Sequence, residues 1–478
     1  MTTDIAPPGI LATTRGKLIL TLLCAVGFLD LIDVTIVNVA LPAIRGDLGF
    51  SVQELQWVPS AYLLTYGGFM LLGGRAADLL GRRHVLVAGI VIFGISSLIG
   101  GFADTSTVLV GARLVQGVGA ALTIPATLSI LTTTYAEGPE RHKALGAWAA
   151  VGGLASAVGV LLGGVLTEGP GWRWVMFINP IICAFLIPAI HALINDDRPA
   201  ERKHGFDLVG TALATGAMLL VVYTLVEAPD EGWGSLRTVG GMVGSAALLA
   251  AFCLIESRIR NPLVPLSVFR IRGLAAANIT QLTVFAGFVS MFFFLSIYMQ
   301  SVLGFSPIKT GLAYLPVCVV IGVSAGTASS LIGRVGTRPL VVVGALITAV
   351  GVYLFSRIPV DGSYVSDLLP GMVVMSLGIG AVFVALINAA NAGVPSEQAG
   401  LAAALLNSSQ QVGGALGLAI LSALATSRTN GLLTDGAHPD EALVEGFQRG
   451  LFVGAVFLAV GALMGLRATN THEAEVAA

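Results

Sequence analysis

Long apolar stretches separated by short polar ones recur along the whole 478-residue chain. A helix needs roughly 17 to 25 apolar residues to cross the hydrocarbon of a bilayer. Fourteen stretches meet that length, centred near Phe28, Tyr66, Phe93, Ala120, Ala155, Phe185, Met218, Leu248, Phe288, Val320, Thr348, Gly380, Gly413 and Phe457. The pattern predicts an all-α integral membrane protein. The seventh and eighth stretches are divided only by the polar break from Glu227 to Arg237, and their spacing also suits a single hairpin. The first stretch starts just after Arg15 and Lys17, as a signal peptide would. It runs on to Leu41 without a small-residue cleavage site, which predicts a retained span.

Composition sharpens this picture. With 55% hydrophobic residues, 11% charged residues and a mean hydropathy of +0.88, the chain lies outside the range of soluble domains. The net charge of −2 offers no footprint for nucleic acid. Cys24, Cys183, Cys253 and Cys318 all fall in apolar stretches and read as packing residues, without disulfide or metal spacing. Placing the amino terminus in the cytoplasm puts seventeen of the 25 basic residues on that side. Seven lie opposite (Arg45, Arg173, Arg237, Lys309, Arg357, Arg428 and Arg449), and Arg113 lies within a span. That asymmetry predicts a multi-pass membrane protein with both termini in the cytoplasm.

Two halves of six spans echo each other. Gly81-Arg82-Arg83 after span two is matched by Gly336-Thr337-Arg338 after span ten, and Gly117-Val118-Gly119 of span four by Gly378-Ile379-Gly380 of span twelve. Repeated halves are the build of secondary transporters, with the substrate cavity at their interface. The expected division is an amino-terminal bundle over 1–205, an inserted helix pair over 206–257 and a carboxy-terminal bundle over 258–478. No phosphate-binding Gly-x4-Gly-Lys-[Ser/Thr] loop occurs, so neither ATP nor any other cofactor is expected.

Asp30 and Asp33 stand three residues apart in the first span, on roughly one helical face, where ionisation in lipid is expensive. Such residues face a cavity or a partner. Arg113 is the partner expected from depth: both Asp33 and Arg113 sit roughly 10 Å below the outer ends of their spans, at about 1.5 Å of rise per residue. In that pair the arginine stays charged, while burial opposes and the arginine favours the ionised carboxylate. A group balanced in this way suits proton carriage. A static salt bridge joining two helices is the alternative.

The run Ile32-Asp33-Val34-Thr35-Ile36-Val37-Asn38-Val39-Ala40-Leu41-Pro42 resembles the first-span signature of the fourteen-helix drug:proton antiporters of the major facilitator superfamily. Leu109 to Ala121, with Arg113, Gln116, Gly117 and Gly119, is similar to the superfamily's span-four motif, whose arginine the family uses in proton transfer. By resemblance that role falls on Arg113, with Asp33 and Asp30 as the coupling acids. The loop Gly74-Arg75-Ala76-Ala77-Asp78-Leu79-Leu80-Gly81-Arg82-Arg83 resembles the cytoplasmic gating motif and departs from it at Ala76 and Leu79. Gly74, Asp78, Gly81, Arg82 and Arg83 would then form a charge-linked latch. Span five keeps Gly146, Gly159, Gly163 and Gly164 of the antiporter motif but has Ala155 and Val160 where glycine and proline are usual. Those glycines imply close helix packing.

The resemblance implies a major facilitator fold of two six-helix bundles plus two central helices in a bacterial inner membrane, working as a monomer on a small-molecule substrate and protons. Polar or aromatic residues in spans nominate a substrate pocket: Tyr62, Asn278, Gln281, Tyr298, Asn388 and Asn407. A proton-driven exporter of amphipathic compounds, a proton-coupled importer on the same fold and an integral membrane enzyme are the competing functions. The enzyme would need clustered catalytic residues near one interface, and no such cluster occurs. The topology predicts opposite signals from reporters fused after Gly205 and after Ala437, cytoplasmic and external respectively. The same side for both would overturn it.

Overall fold

The computed structural model describes residues 10–136, 138–196, 207–259, 262, 264, 266–271, 273–392, 394 and 399–471. The expected boundary at 205/206, the Gly205 fusion site and the basic residues 198, 202, 203, 260 and 272 lie outside them. The described residues form fourteen long helices and no strand. These are α1 (Thr14–Leu48), α2 (Trp57–Leu80), α3 (Arg82–Gly101), α4 (Ser106–Thr134), α5 (Pro139–Glu168), α6 (Arg173–Leu193) and α7 (Leu208–Glu231). The remainder are α8 (Leu236–Glu256), α9 (Leu274–Ile297), α10 (Pro307–Val335), α11 (Thr337–Phe355), α12 (Leu369–Asn391), α13 (Ala399–Thr434) and α14 (Pro439–Gly465). Every expected span centre falls inside its own helix. The polar break resolves in favour of two helices: α7 runs on to Glu231, and Gly232, at φ 92°, turns the chain into α8.

Thirteen helices are long and apolar enough to cross a membrane, and α2 is the exception. Its composition reflects its place. Fifteen of its 24 residues are buried, between α4 on one side and α7 and α13 on others, so it has little surface that must dissolve in lipid. The peripheral α8 shows the opposite economy, exposing Leu236, Val239, Val243 and Leu254 along its length. Local signals start the helices where they start. Thr13, Thr105, Asp207, Ser235 and Ser306 each accept a backbone N–H from the first turn of α1, α4, α7, α8 and α10.

The internal repeat is visible in geometry. Gly81 links α2 to α3 at φ 93°, and Gly336 links α10 to α11 at φ 79°. Both reversals use a backbone region that favours glycine. The glycine pairs of α4 and α12 also do the same work, letting a helix approach two neighbours at once. Gly117 lies on the α2 backbone at Tyr62 and Tyr66, and Gly119 on α3 at Gly89 and Phe93. In α12, Gly378 lies on α11 at Gly344 and Thr348, and Gly380 on α10 at Ile321 and Ala325. The order of partners is reversed, so the two Gly-x-Gly pairs correspond in kind but not in register.

Of the span-five glycines, Gly159 and Gly163 pack on α1 at Thr35 and Ile36, and Gly164 packs on α10 at Pro307 and Ile308. Gly146 differs: a Cβ there would meet nothing within 4 Å. Gly117→Leu is therefore expected to abolish monodisperse folded protein in detergent chromatography, whereas Gly146→Leu is expected to leave the elution profile unchanged. Equal behaviour of the two would contradict this packing.

Candidate functional site

Asp33 and Arg113, which depth alone paired, meet inside the bundle. Arg113 Nη1 donates to Asp33 Oδ2 at 2.6 Å, with the two side chains 1% and 0% exposed. Two neutral amides complete the carboxylate's shell: Gln116 Nε2 donates to Oδ1 at 2.8 Å and Asn179 Nδ2 at 2.7 Å. The guanidinium has acceptors of its own. Nη1 also donates to Gln116 Oε1 at 2.8 Å, and Nε donates to the Val58 carbonyl at 3.1 Å. Behind Asn179, Ser97 Oγ accepts from Nδ2 at 3.0 Å and donates to the Met176 carbonyl at 2.9 Å. A single carboxylate on α1 is thus tied to α4 and α6, and through them to α2 and α3.

Each tie has a local reason. Arg113 and Gln116 are three residues apart on α4 and so share a face. The approach of α4 to α2 at Gly117 places the Val58 carbonyl within reach of the guanidinium. Asn179 precedes Pro180 inside α6.

Asp30 is held one turn closer to the terminal face. Its carboxylate accepts from Tyr62 Oη at 2.6 Å and from Tyr66 Oη at 3.0 Å, both on α2. The Arg113 guanidinium lies 4.4 Å from the centre of the Tyr62 ring, so one tyrosine touches both the acid and the arginine. Tyr62, nominated as a pocket residue, is fully buried in this network.

The other nominated residues scatter. Asn278 on α9 accepts from Ser409 of α13 at 2.9 Å, and Gln281 donates to Gln410 at 2.9 Å, so both join two helices. Tyr298 is buried with its hydroxyl donating to the Pro359 carbonyl at 2.6 Å. Asn388 is exposed and bonds back to its own helix at Val384, while half-buried Asn407 does the same at Ala403. In the loop motif, Asp78 is exposed at the end of α2, Arg83 donates to the Ile194 carbonyl at 3.2 Å and Arg75 to the Pro262 carbonyl at 3.1 Å. Gly74 faces Pro125 of α4.

The two halves meet at several points on the face opposite the termini. There Gln300 Nε2 donates to the Val39 carbonyl at 2.9 Å, Glu168 accepts from the Ile308 N–H at 3.1 Å, and Gly311 lies on the Val160 carbonyl. At mid-depth Ser408 Oγ donates to the Gly67 carbonyl at 2.7 Å. On the terminal half of α12, Asn388 and Asn391 are exposed.

Sequence reasoning did not connect Gln116, Asn179, Ser97 or Tyr66 to the acids. A usable signal existed for Gln116, which stands three residues from Arg113 and so must lie beside it.

A model of the Major Facilitator Superfamily matches residues 23–418. The puromycin resistance protein of Streptomyces alboniger is 39% identical over 452 residues, covering 93% of this chain and 88% of its own. The cephamycin export protein of Amycolatopsis lactamdurans is 37% identical over 422 residues, covering 88% and 87%. Among solved structures, a bacterial homolog of the human lysosomal transporter Spinster, inward-facing and occupied, superimposes with a TM-score of 0.65 over 95% of this chain and 96% of that one. At 17% identity, that likeness concerns the fold alone.

The network should register in stability. Gln116→Leu strips a donor from buried Asp33 and an acceptor from Arg113, a loss of about 1–3 kcal/mol by the usual cost of an orphaned buried polar group. Asn388→Leu, on an exposed amide, is expected to stay within about 0.5 kcal/mol. Thermal unfolding in detergent checks both, and equal midpoints would mean that the shell around Asp33 is not closed.

Proposed function

The chain belongs to the major facilitator superfamily, and we propose that it exports small amphipathic toxic compounds in exchange for protons that bind at Asp33. The two termini lie in the cytoplasm on this reading. The halves 1–205 and 258–478 rock about the central site, and 206–257 is the inserted pair. The relatives named for puromycin resistance and cephamycin export support the direction of transport and the class of cargo. The observation that carries the mechanism is the dry Asp33 carboxylate with three donors from two other helices.

That shell suits reversible protonation. A proton arriving at Asp33 neutralises the acid and weakens its hold on Arg113. The guanidinium then keeps Gln116 Oε1 and the Val58 carbonyl, so no bare cation is left in a medium where one is very costly. Asn179 Oδ1 has no donor while Asp33 is charged, and a turn of that amide offers it to the new carboxyl O–H. Protonation thus loosens the grip of α4 and α6 on α1 without orphaning a charge. Loss of the proton binds α1 to them again. The packing of α1 on the Gly159 and Gly163 face of α5 passes such movement to the neighbouring helix.

Asp30 supplies a second acid on the same helix. Its tyrosines can donate to a carboxylate but need not release it for Asp33 to titrate. With the halves closed at the face opposite the termini, protons bound from outside leave toward the cytoplasm in this conformation. The exposed amides of α12 then line the path by which cargo enters.

Asp33→Asn mimics the neutral acid and is expected to abolish gradient-driven accumulation in inverted vesicles, tested with puromycin and a cephamycin. Counterflow without a gradient is expected to persist. Arg113→Ala removes the charged partner of the carboxylate and is expected to uncouple proton release from transport. The measurement is substrate-induced proton release by purified protein over a pH series. Release from Asp33→Asn equal to the parent would move coupling elsewhere, with Asp30 the next residue to substitute. Cargo leaving rather than entering inverted vesicles would indicate an importer.

A further inference from the structure

Lysines and arginines are scarce on the face opposite the termini, and three of the seven there meet in one place. Arg357 follows α11, Arg428 lies near the end of α13 and Arg449 in the first turns of α14, and all three line a cavity of about 710 Å³. Glu445 is the acid beside them, bonded to Arg428 at 2.7 Å. Three positive charges against one negative leave a surplus of two. Arg357 is steadied by donating to Tyr353 Oη at 2.7 Å. Arg449 is exposed and makes no ion pair or hydrogen bond among the described residues.

Two rings in the lining, Tyr353 and Phe452, pack at a separation of 6.3 Å. From these two rings an exposed apolar stripe continues down each helix toward the membrane centre. On α11 it comprises Val350, Leu346 and Val343, and on α14 Val456, Val460 and Leu463. The spacing of three to four residues keeps each stripe on one face of its helix. Such faces meet acyl chains. A cationic pocket at the end of a membrane-spanning span, standing directly above two lipid-facing stripes, matches the two ends of one kind of molecule.

We infer that the pocket formed by Arg357, Arg428 and Arg449 binds the phosphate of an anionic glycerophospholipid in the leaflet opposite the termini, with its acyl chains along α11 and α14. The guanidinium of Arg449 supplies an unshared planar donor pair for phosphate oxygens, the geometry in which arginine recognises phosphate best. Glu445 opposes the anion and holds Arg428 away from it. The site lies in the carboxy-terminal half, apart from Asp33, and its occupancy does not depend on proton coupling.

The test is competitive retention by the purified full-length protein, read by native mass spectrometry. Dioleoyl phosphatidylglycerol competes with dioleoyl phosphatidylcholine, and inorganic phosphate is added in a parallel arm. Preferential retention of phosphatidylglycerol is expected. At about 1 kcal/mol for each arginine near a headgroup, the R357Q/R449Q double variant is expected to lose roughly 30-fold of that preference. E445Q shifts the other way and strengthens retention, which keeps the test decisive should the double variant fold poorly. Equal retention of the two lipids, or a double variant that retains phosphatidylglycerol as the parent does, would overturn the assignment. So would complete displacement by millimolar phosphate, which would make this a site for soluble anions.

Discussion

An ion pair enclosed among helices and lipid has no water to fall back on, and the amino-terminal half of this protein is arranged around that constraint. Taking both Asp33 and Arg113 out of water costs several kcal/mol each, which their mutual attraction repays only when the remaining donors and acceptors are also satisfied. The satisfaction comes from Gln116 on α4 itself and from two further helices, through Asn179 on α6 and the Val58 carbonyl on α2. Those groups reach the pair only because α4 lies against the α2 backbone at Gly117 and against α3 at Gly119. The glycine seams and the charge network are therefore one arrangement. Widening the first would strand the second.

How much of this could be read from the chain follows from how many alternatives each residue type leaves. A span-length apolar run has few other uses, so the helices and their order were legible, including the α7–α8 pair once its polar break is seen as a turn at Gly232. Charges at mid-depth are rarer still. Arg113 is the only basic residue within a span, and matching its depth to Asp33 sufficed to pair them. Uncharged polar residues carry no such restriction. Asn278, Gln281, Asn388 and Asn407 looked alike in sequence, yet two join helices, two bond to their own helix, and Asn179 belongs to the central site. Which of these an amide does depends on what stands opposite, and that is a property of tertiary packing.

The same distinction explains what hydropathy and small-residue patterns leave open. Hydropathy measures a helix's fitness for lipid, whereas α2 is enclosed by protein and is free to carry the tyrosines that hold Asp30. Small residues at helical spacing show that close approach is possible without saying on which side. Gly159 and Gly163 meet α1, Gly164 meets α10, and Gly146 meets nothing, although all four sit in one motif. The reversed partners of the α4 and α12 glycine pairs are a further case, since a two-residue offset on a helix turns a side chain by more than half a revolution.

The position of the contacts between halves also limits what proton movement can accomplish. Gly164 on Pro307 and Ile308, Gly311 on Val160 and Gln300 on Val39 all lie toward the face opposite the termini. The two glycine contacts are backbone approaches with little room to slide, and with the Gln300 side-chain bond they act as a clasp that must part as a unit. Asp33 sits below that clasp on α1, the helix that bears Val39 two turns further along. A change in the grip of α4 and α6 on α1 therefore reaches the Val39 carbonyl through continuous helix. On the proposed function, no separate relay is needed between Asp33 and the contact that closes the opposite face. A proton bound at Asp33, as proposed, and the gate would share one rigid element, which is the simplest way for one to bias the other.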